Sequence, residues 1–418
     1  MNLRKYLITS NNIERDGFIW NMVGSMLTAF QSVILLMILT RTVGLINAGI
    51  FTIAYANANL FLNIGKYGMR NFQVSDVKRQ FSFKDYLYSR YITTLAMLIV
   101  SIIYIFYAAI ANNYTMDKTM IIFGMCLFKI PDAIEDVYYG DYQKKGRLDI
   151  GAKAIAWRLI LTLALFSCIL VIYKDLIIAL IISTLFTFAI MVMFIRCTVD
   201  GFVEKENKSW TRIIELLKQC FPLAAGAFLS FYIGNVPKYA IDSMLNDELQ
   251  ACYGFIAMPV FVIGLLNNFI FAPILYKMSC LWEERKIKVF IQRTLIQVII
   301  IFIITLVCII GAYLIGVPVL SILYNTDLAP YKTELLILLL GGGFLGLSGL
   351  LNTMITIIRF QKSLLLGYGI IAVIAFCLSN YMVRQWEMFG AALLYALLMA
   401  ALCLIFAAFF VLGIIKNR

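Results

Sequence analysis

Apolar residues along the chain gather into runs of roughly twenty, each closed by a short polar interval, and do not alternate every second position. About 20 such residues carry an α-helix across a bilayer core, whereas alternating segments of about ten would mark an outer-membrane barrel. The pattern predicts an all-α integral membrane protein with twelve spans, at 17–40, 46–64, 87–109, 119–139, 154–173, 176–195, 220–242, 251–275, 290–315, 333–358, 363–383 and 389–414. The longest intervals, near 65–86 and 196–219, are too short to hide a soluble domain. One outward interval, 316–332, contains VPVLSILYN and reads as a turn of amphipathic helix at the membrane surface.

The seventh run departs most from a greasy span. Asn235, Lys238, Tyr239 and Asp242 fall at i, i+3, i+4 and i+7, so they share one helical face. Pro237 removes a backbone donor, and Pro222, Gly226 and Gly234 ease bending or close packing. Such a face suits a polar central cavity, with this helix opening the second half of a transporter.

Composition agrees with the pattern: 62% hydrophobic, 14% charged and a mean hydropathy of +0.89 leave too little polar material to cover a soluble domain. The first 18 residues lack a compact apolar core with a cleavage site, so the first span reads as a retained anchor. Nine cysteines without a CxxC pair behave as small hydrophobes. The lack of histidine removes Ser-His-Asp chemistry, imidazole relays and most zinc sites, and GxxxxGK[ST] is absent. The expectation is a protein that is not an enzyme, with no catalytic residues, metal or cofactor. Placing both termini in the cytoplasm puts twenty-eight of the 35 Lys and Arg on the inner side and six outside. The net charge of +12 then follows from loops facing anionic headgroups, with no nucleic-acid partner needed.

Six spans precede the 196–219 interval and six follow it. This division predicts lobes at 1–205 and 206–418, related by a pseudo-two-fold axis along the membrane normal. Gly49 and Gly254, like Asn63 and Asn268, share one spacing, and GSMLTAF corresponds to GAFLSFY.

The segments NAGIFTIAYANANLFLNIGKYGMRNF, YYGDYQKKGRLDIGAKAI, NVPKYAIDSML and ACYGFIAMPV resemble the polysaccharide transporters, the O-antigen or lipid-linked oligosaccharide flippases. That family shares a superfamily with the multidrug and toxic-compound extruders. The resemblance covers nearly the whole chain through scattered positions. It implies a MATE-like pair of six-helix bundles, alternating access and an undecaprenyl-diphosphate-linked oligosaccharide as cargo, such as an O-antigen or capsule repeat unit. It also implies residence in the bacterial cytoplasmic (inner) membrane, with a polysaccharide polymerase and glycosyltransferases as associated activities. Two departures stand out: 17–40 carries no acidic residue, unlike the extruders, and twelve spans differ from the fourteen usual in lipid II flippases.

A diphosphate needs cations in a partly dehydrated site, and sugars need amides and aromatic faces. Tyr55, Asn59, Asn63, Lys66 and Arg70 run as a polar stripe, and Asn21, Gly24, Thr28 and Gln31 form a second face. Asn235, Lys238 and Tyr239, with Asn267 or Asn268, would stand opposite. The amides can equally bridge packed helices. Lys66, Arg70 and Lys238 can equally be interfacial or snorkelling cations. In the fourth span, Lys129, Asp132, Glu135 and Asp136 read either as a relay for H+ or Na+ coupling or as a structural cluster. Three classes result: a lipid-linked glycan flippase, a cation-coupled drug or metabolite antiporter of the same fold, and a membrane-embedded glycosyltransferase or polymerase. The last is disfavoured by the lack of a sizeable outward loop.

Overall fold

The computed structural model describes residues 3–76, 80–199 and 208–416, with side chains at all of these except 3, 265–273, 275 and 276. The chain divides into two compact units, Met1–Phe228 and Leu229–Arg418. Every regular element among the described residues is helical.

In the first unit the helices are α1 (Leu3–Ile8), α2 (Ile13–Thr42), α3 (Leu45–Lys66), α4 (Met69–Ser75), α5 (Phe83–Ala111), α6 (Met116–Phe128), α7 (Ile130–Lys144), α8 (Leu148–Tyr173) and α9 (Leu176–Val199). α10 (Trp210–Met244) crosses the division. The second unit continues with α11 (Asp247–Glu283), α12 (Ile287–Gly311), a π-helical segment Ala312–Gly316, α13 (Val317–Tyr324), α14 (Lys332–Ile357) and α15 (Lys362–Lys416).

Nine helical stretches among the described residues are long and apolar enough to cross a membrane. α15 accounts for two of the expected runs. Its 55 residues would reach about 80 Å if straight, and helical geometry breaks at Glu387, where φ is 47°. Its halves pack on each other, with the rings of Tyr368 and Phe406 5.1 Å apart. The fourth run is interrupted: α6 ends at Lys129, and Pro131 opens α7, where its missing N–H costs no helical bond. The eighth run is α11. The twelve expected runs are thus all helical, which is consistent with twelve spans.

α3 is the core of the first unit, packed on α2, α5, α6 and α7. Ala48, Ala54, Ala56 and Ala58 are at most 2% exposed, and such small side chains let neighbouring helices approach. At Gly65 a Cβ would meet Met97 Sδ at 2.9 Å and Ala133 Cβ at 3.2 Å. The helix stops at Tyr67 and Gly68, both left-handed, with φ of 53° and 61°. Gly68 also abuts Leu223, where an added Cβ would lie 2.8 Å from the leucine Cβ.

The start of α10 is fixed to the same unit. Ser82 and Asp85 form a capping box at the head of α5. Buried Asp85 also accepts from the Ser209 backbone N–H at 2.8 Å and pairs with Arg212 at 2.8 Å. Leu216 and Cys220 then join a core with Met69, Phe81, Phe83, Tyr86 and Val137.

In the second unit, VPVLSILYN forms α13, which is docked as well as amphipathic. Leu320 and Tyr324 are buried, and the Tyr324 ring stacks on Phe255 at 4.1 Å. All nine cysteines are free.

Candidate functional site

From Ala48 to Lys66, α3 is buried except at Tyr55, Asn59, Asn63, Ile64 and Lys66. The expected polar stripe is therefore the uncovered strip of an otherwise enclosed helix. Asn59 Nδ2 donates to the Tyr55 carbonyl at 2.8 Å, and Asn63 Nδ2 donates to the Asn59 carbonyl at 2.8 Å. These bonds occupy the amide nitrogens and leave each side-chain oxygen without a donor among the described residues. Lys66 forms no ion pair among the described residues.

Arg70 does not continue the strip. The turn at Tyr67 and Gly68 moves it onto α4, where a spacing of i+15 on one continuous helix no longer holds. There its guanidinium donates to Gln143 Oε1 at 3.1 Å and lies 3.5 Å from Asp136.

The second expected face, on α2, is broken up. Asn21 and Thr28 are exposed, and Gly24 packs against Ala152, Ile155 and Ala156 of α8. Gln31 is buried and accepts from Lys129 Nζ at 3.1 Å.

That lysine opens an ionic network inside the first unit. Lys129 Nζ pairs with Asp132 at 3.1 Å and sits 5.0 Å above the Tyr55 ring. Arg158 bridges Asp132 and Glu135, the latter at 2.6 Å, and donates to Thr187 Oγ1 at 3.0 Å. The Tyr139 hydroxyl donates to Glu135 at 3.0 Å. Arg90 pairs with Asp136 at 2.9 Å and donates to the Gly65 carbonyl at 2.6 Å. Thr93 Oγ1 donates to the same carbonyl at 2.8 Å, capping the orphaned end of α3. Three carboxylates are thus held by Lys129, Arg158, Arg90 and Arg70, so the network carries one surplus positive charge, with Lys66 close enough to act on Asp132.

Arg90 and Arg158 correct the charge reading. Counting loop cations places both among the inner loops, yet they lie inside α5 and α8 at 0% and 3% exposure. The available signal was an arginine directly followed by an apolar run, RYITTLAMLIV or RLILTLALF, in a chain whose fourth span carries unmatched carboxylates.

In the second unit, Asn235 Nδ2 donates to the Phe231 carbonyl at 3.0 Å, repeating the pattern of Asn59 and Asn63. Lys238 is half-buried, with no ion pair among the described residues. Tyr239 stacks on Tyr232 with ring centroids 6.0 Å apart. The side chains of Asn267 and Asn268 lie outside the described residues.

The fold has close counterparts among solved structures. The chain aligns with "Lipid II flippase MurJ, inward closed conformation" at a TM-score of 0.67 and 12% identity, over 95% of this chain and 90% of that one. It aligns with an outward-facing multidrug resistance MATE family transporter of the MOP superfamily at 0.57 and 12%, over 100% and 98%. This is the fold of the MOP-superfamily transporters. A curated relative, "Capsular polysaccharide biosynthesis protein CapF" of Staphylococcus aureus, is 26% identical over 307 residues, which cover 72% of this chain and 76% of that protein. No family model matches the chain.

Proposed function

We propose that the protein is a flippase that carries an undecaprenyl-diphosphate-linked oligosaccharide across the bacterial cytoplasmic membrane by alternating access. One observation carries this reading: the half-buried strip of α3 is polar apart from Ile64 and ends in Lys66, which forms no ion pair among the described residues. A lipid-facing strip would be apolar, and a packing strip would be covered. An anionic cargo with sugar hydroxyls uses both Lys66 and the outward oxygens of Asn59 and Asn63. The MOP-type fold and the relative named for capsular polysaccharide biosynthesis support the same choice.

Lys238, Asn235 and Tyr239 are the corresponding candidates of the second unit, and Arg70 is one that must share itself with Asp136. Asn21 and Asn268 are kept as secondary sugar contacts, and Gln31 acts through Lys129. The test is flipping of a fluorescent lipid-linked oligosaccharide in proteoliposomes. Lys66→Ala and Lys238→Ala should each slow flipping about tenfold, the value of one charged hydrogen bond, for every glycan tested. Lys66→Arg should retain most of the rate. Unchanged rates in both alanine variants would remove the phosphate-binding role from this face.

A further inference from the structure

The start of the chain builds a pocket that the transport reading does not use. α1 lies on α8 and α9 with Leu7 buried against Ile150, Ala154 and Ile190. Three bonds tie it down: the Arg147 guanidinium to the Ile8 carbonyl, Lys153 Nζ to the Thr9 carbonyl at 3.2 Å, and Trp157 Nε1 to the Tyr6 hydroxyl at 3.1 Å. α1, the turn after it and the neighbouring turns of α2 and α8 border an open pocket of about 480 Å³ lined by Lys5, Tyr6, Arg15, Asp16, Trp20 and Lys153, among others.

We propose that this pocket holds the headgroup of an anionic phospholipid, a phosphodiester with its acyl chains beside α2. Charge is the first argument. Three cations line the pocket against one carboxylate, Asp16, which Ser10 engages at 2.8 Å, Lys153 at 3.7 Å and Arg15 at 3.8 Å, so the lining keeps a surplus of two positive charges. Lys153 is 4% exposed, so one of the cations is built into the wall and does not wave in solvent. Depth is the second argument. Asn12, Glu14 and Arg15 are exposed and polar, with Ile13 exposed among them, while Phe18 and Ile19, one turn further along α2, are exposed and apolar. The change from water to lipid therefore passes across the mouth of the pocket. Trp20, about 6 Å deeper than Asp16 along α2, stands 6.2 Å from Trp157, the pairing of aromatics expected at headgroup level. A free anion would need the cations but not the apolar rim; a lipid uses both.

The two pocket tryptophans supply the readout. In a variant with Trp210, Trp282 and Trp386 changed to phenylalanine, the remaining fluorescence comes from Trp20 and Trp157. The protein is reconstituted into phosphatidylcholine vesicles doped with brominated phosphatidylglycerol or, separately, with brominated phosphatidylcholine. The anionic quencher should act at a severalfold lower mole fraction than the neutral one. Lys5→Gln/Arg15→Gln should erase that preference; both residues are exposed, and gel filtration reports whether the double variant is folded. Should it misfold, raised salt on the parent protein serves in its place and should narrow the preference. Equal quenching by the two lipids, a preference that survives both the double variant and salt, or relief of quenching by millimolar inorganic phosphate would each overturn the lipid assignment.

Discussion

Among single residues, Arg158 holds the most. It spans Asp132 and Glu135 and reaches Thr187, so removing it leaves buried Glu135 without a cation and Asp132 with Lys129 alone. Arg158→Ala should cost about 3–5 kcal/mol, read as loss of monodisperse protein on heating in detergent. Arg158→Lys should recover only part, because an ammonium cannot fork between two carboxylates and a hydroxyl. The same geometry sharpens the question of cation coupling. Asp132→Asn, Glu135→Gln and Asp136→Asn together would leave Arg90 and Arg158 buried without anions, so the expected outcome is loss of folded protein. A folded triple variant that still flips substrate but ignores the ion gradient would instead assign these carboxylates to coupling. The carboxylates were legible in the sequence because charge inside an apolar run is conspicuous. Their arginine partners were not, because an arginine at the edge of a run looks like an ordinary loop cation until packing shows which way it points.

Between α4 and α5, Asp76 titrates outside the spans. Burial pushes its carboxyl up, but the backbone amides of Gln80 and Phe81 and the ammonium of Lys144 outweigh that and hold it below the ordinary carboxylate value. A depressed pKa in the folded state gives stability that is full above the ordinary value of about 3.9 and is lost as pH falls through the folded value. Hydrogen exchange at the amides of Gln80 and Phe81 should therefore show their protection falling on acidification below that range, and Asp76→Asn should remove the acid dependence.

Among elements, α14 shows what a glycine run does. Cβ atoms at Gly341, Gly342 and Gly343 would meet Tyr395 at 2.6 Å, Val260 at 2.9 Å and Thr305 at 2.6 Å, so one helix receives α15, α11 and α12 at successive positions. Gly341 also faces the Ala396 backbone at 3.0 Å, which cannot rotate away. Gly341→Ala should sharply reduce folded protein. Gly349→Ala, with nothing within 4 Å, should be neutral or raise thermal stability by up to about 1 kcal/mol. Gly342 packs closely while Gly349 in the same helix has open space, and spacing in the sequence alone does not separate the two. The α3 strip was legible for a different reason: Tyr55, Asn59 and Asn63 repeat every fourth residue within one uninterrupted helix. Arg70 fell off it because the left-handed turn at Tyr67 and Gly68 is a conformation that a tyrosine seldom signals in sequence.

At the scale of the whole molecule, we expect both termini on the cytoplasmic side, an orientation that rests on charge. Arg90, Lys153 and Arg158 are buried inside helices and do not count as loop cations. Taking them out still leaves the inner intervals far richer in Lys and Arg than the outer ones. The helices then supply a test independent of charge. If α10 and α11 are two consecutive passes, as the expected spans seven and eight require, the residues just before Trp210 and just after Glu283 emerge on one side of the membrane. Lys208→Cys and Lys286→Cys, made in a cysteine-free background, should both resist a membrane-impermeant maleimide in intact cells and both react in inverted vesicles. A cysteine at Asn325, in the interval after α13, should show the reverse. Labelling of positions 208 and 286 from opposite sides would break the twelve-pass arrangement, whereas labelling of both from outside would keep the passes and invert the protein, placing the Lys66 end of α3 at the wrong face to receive a substrate made in the cytoplasm.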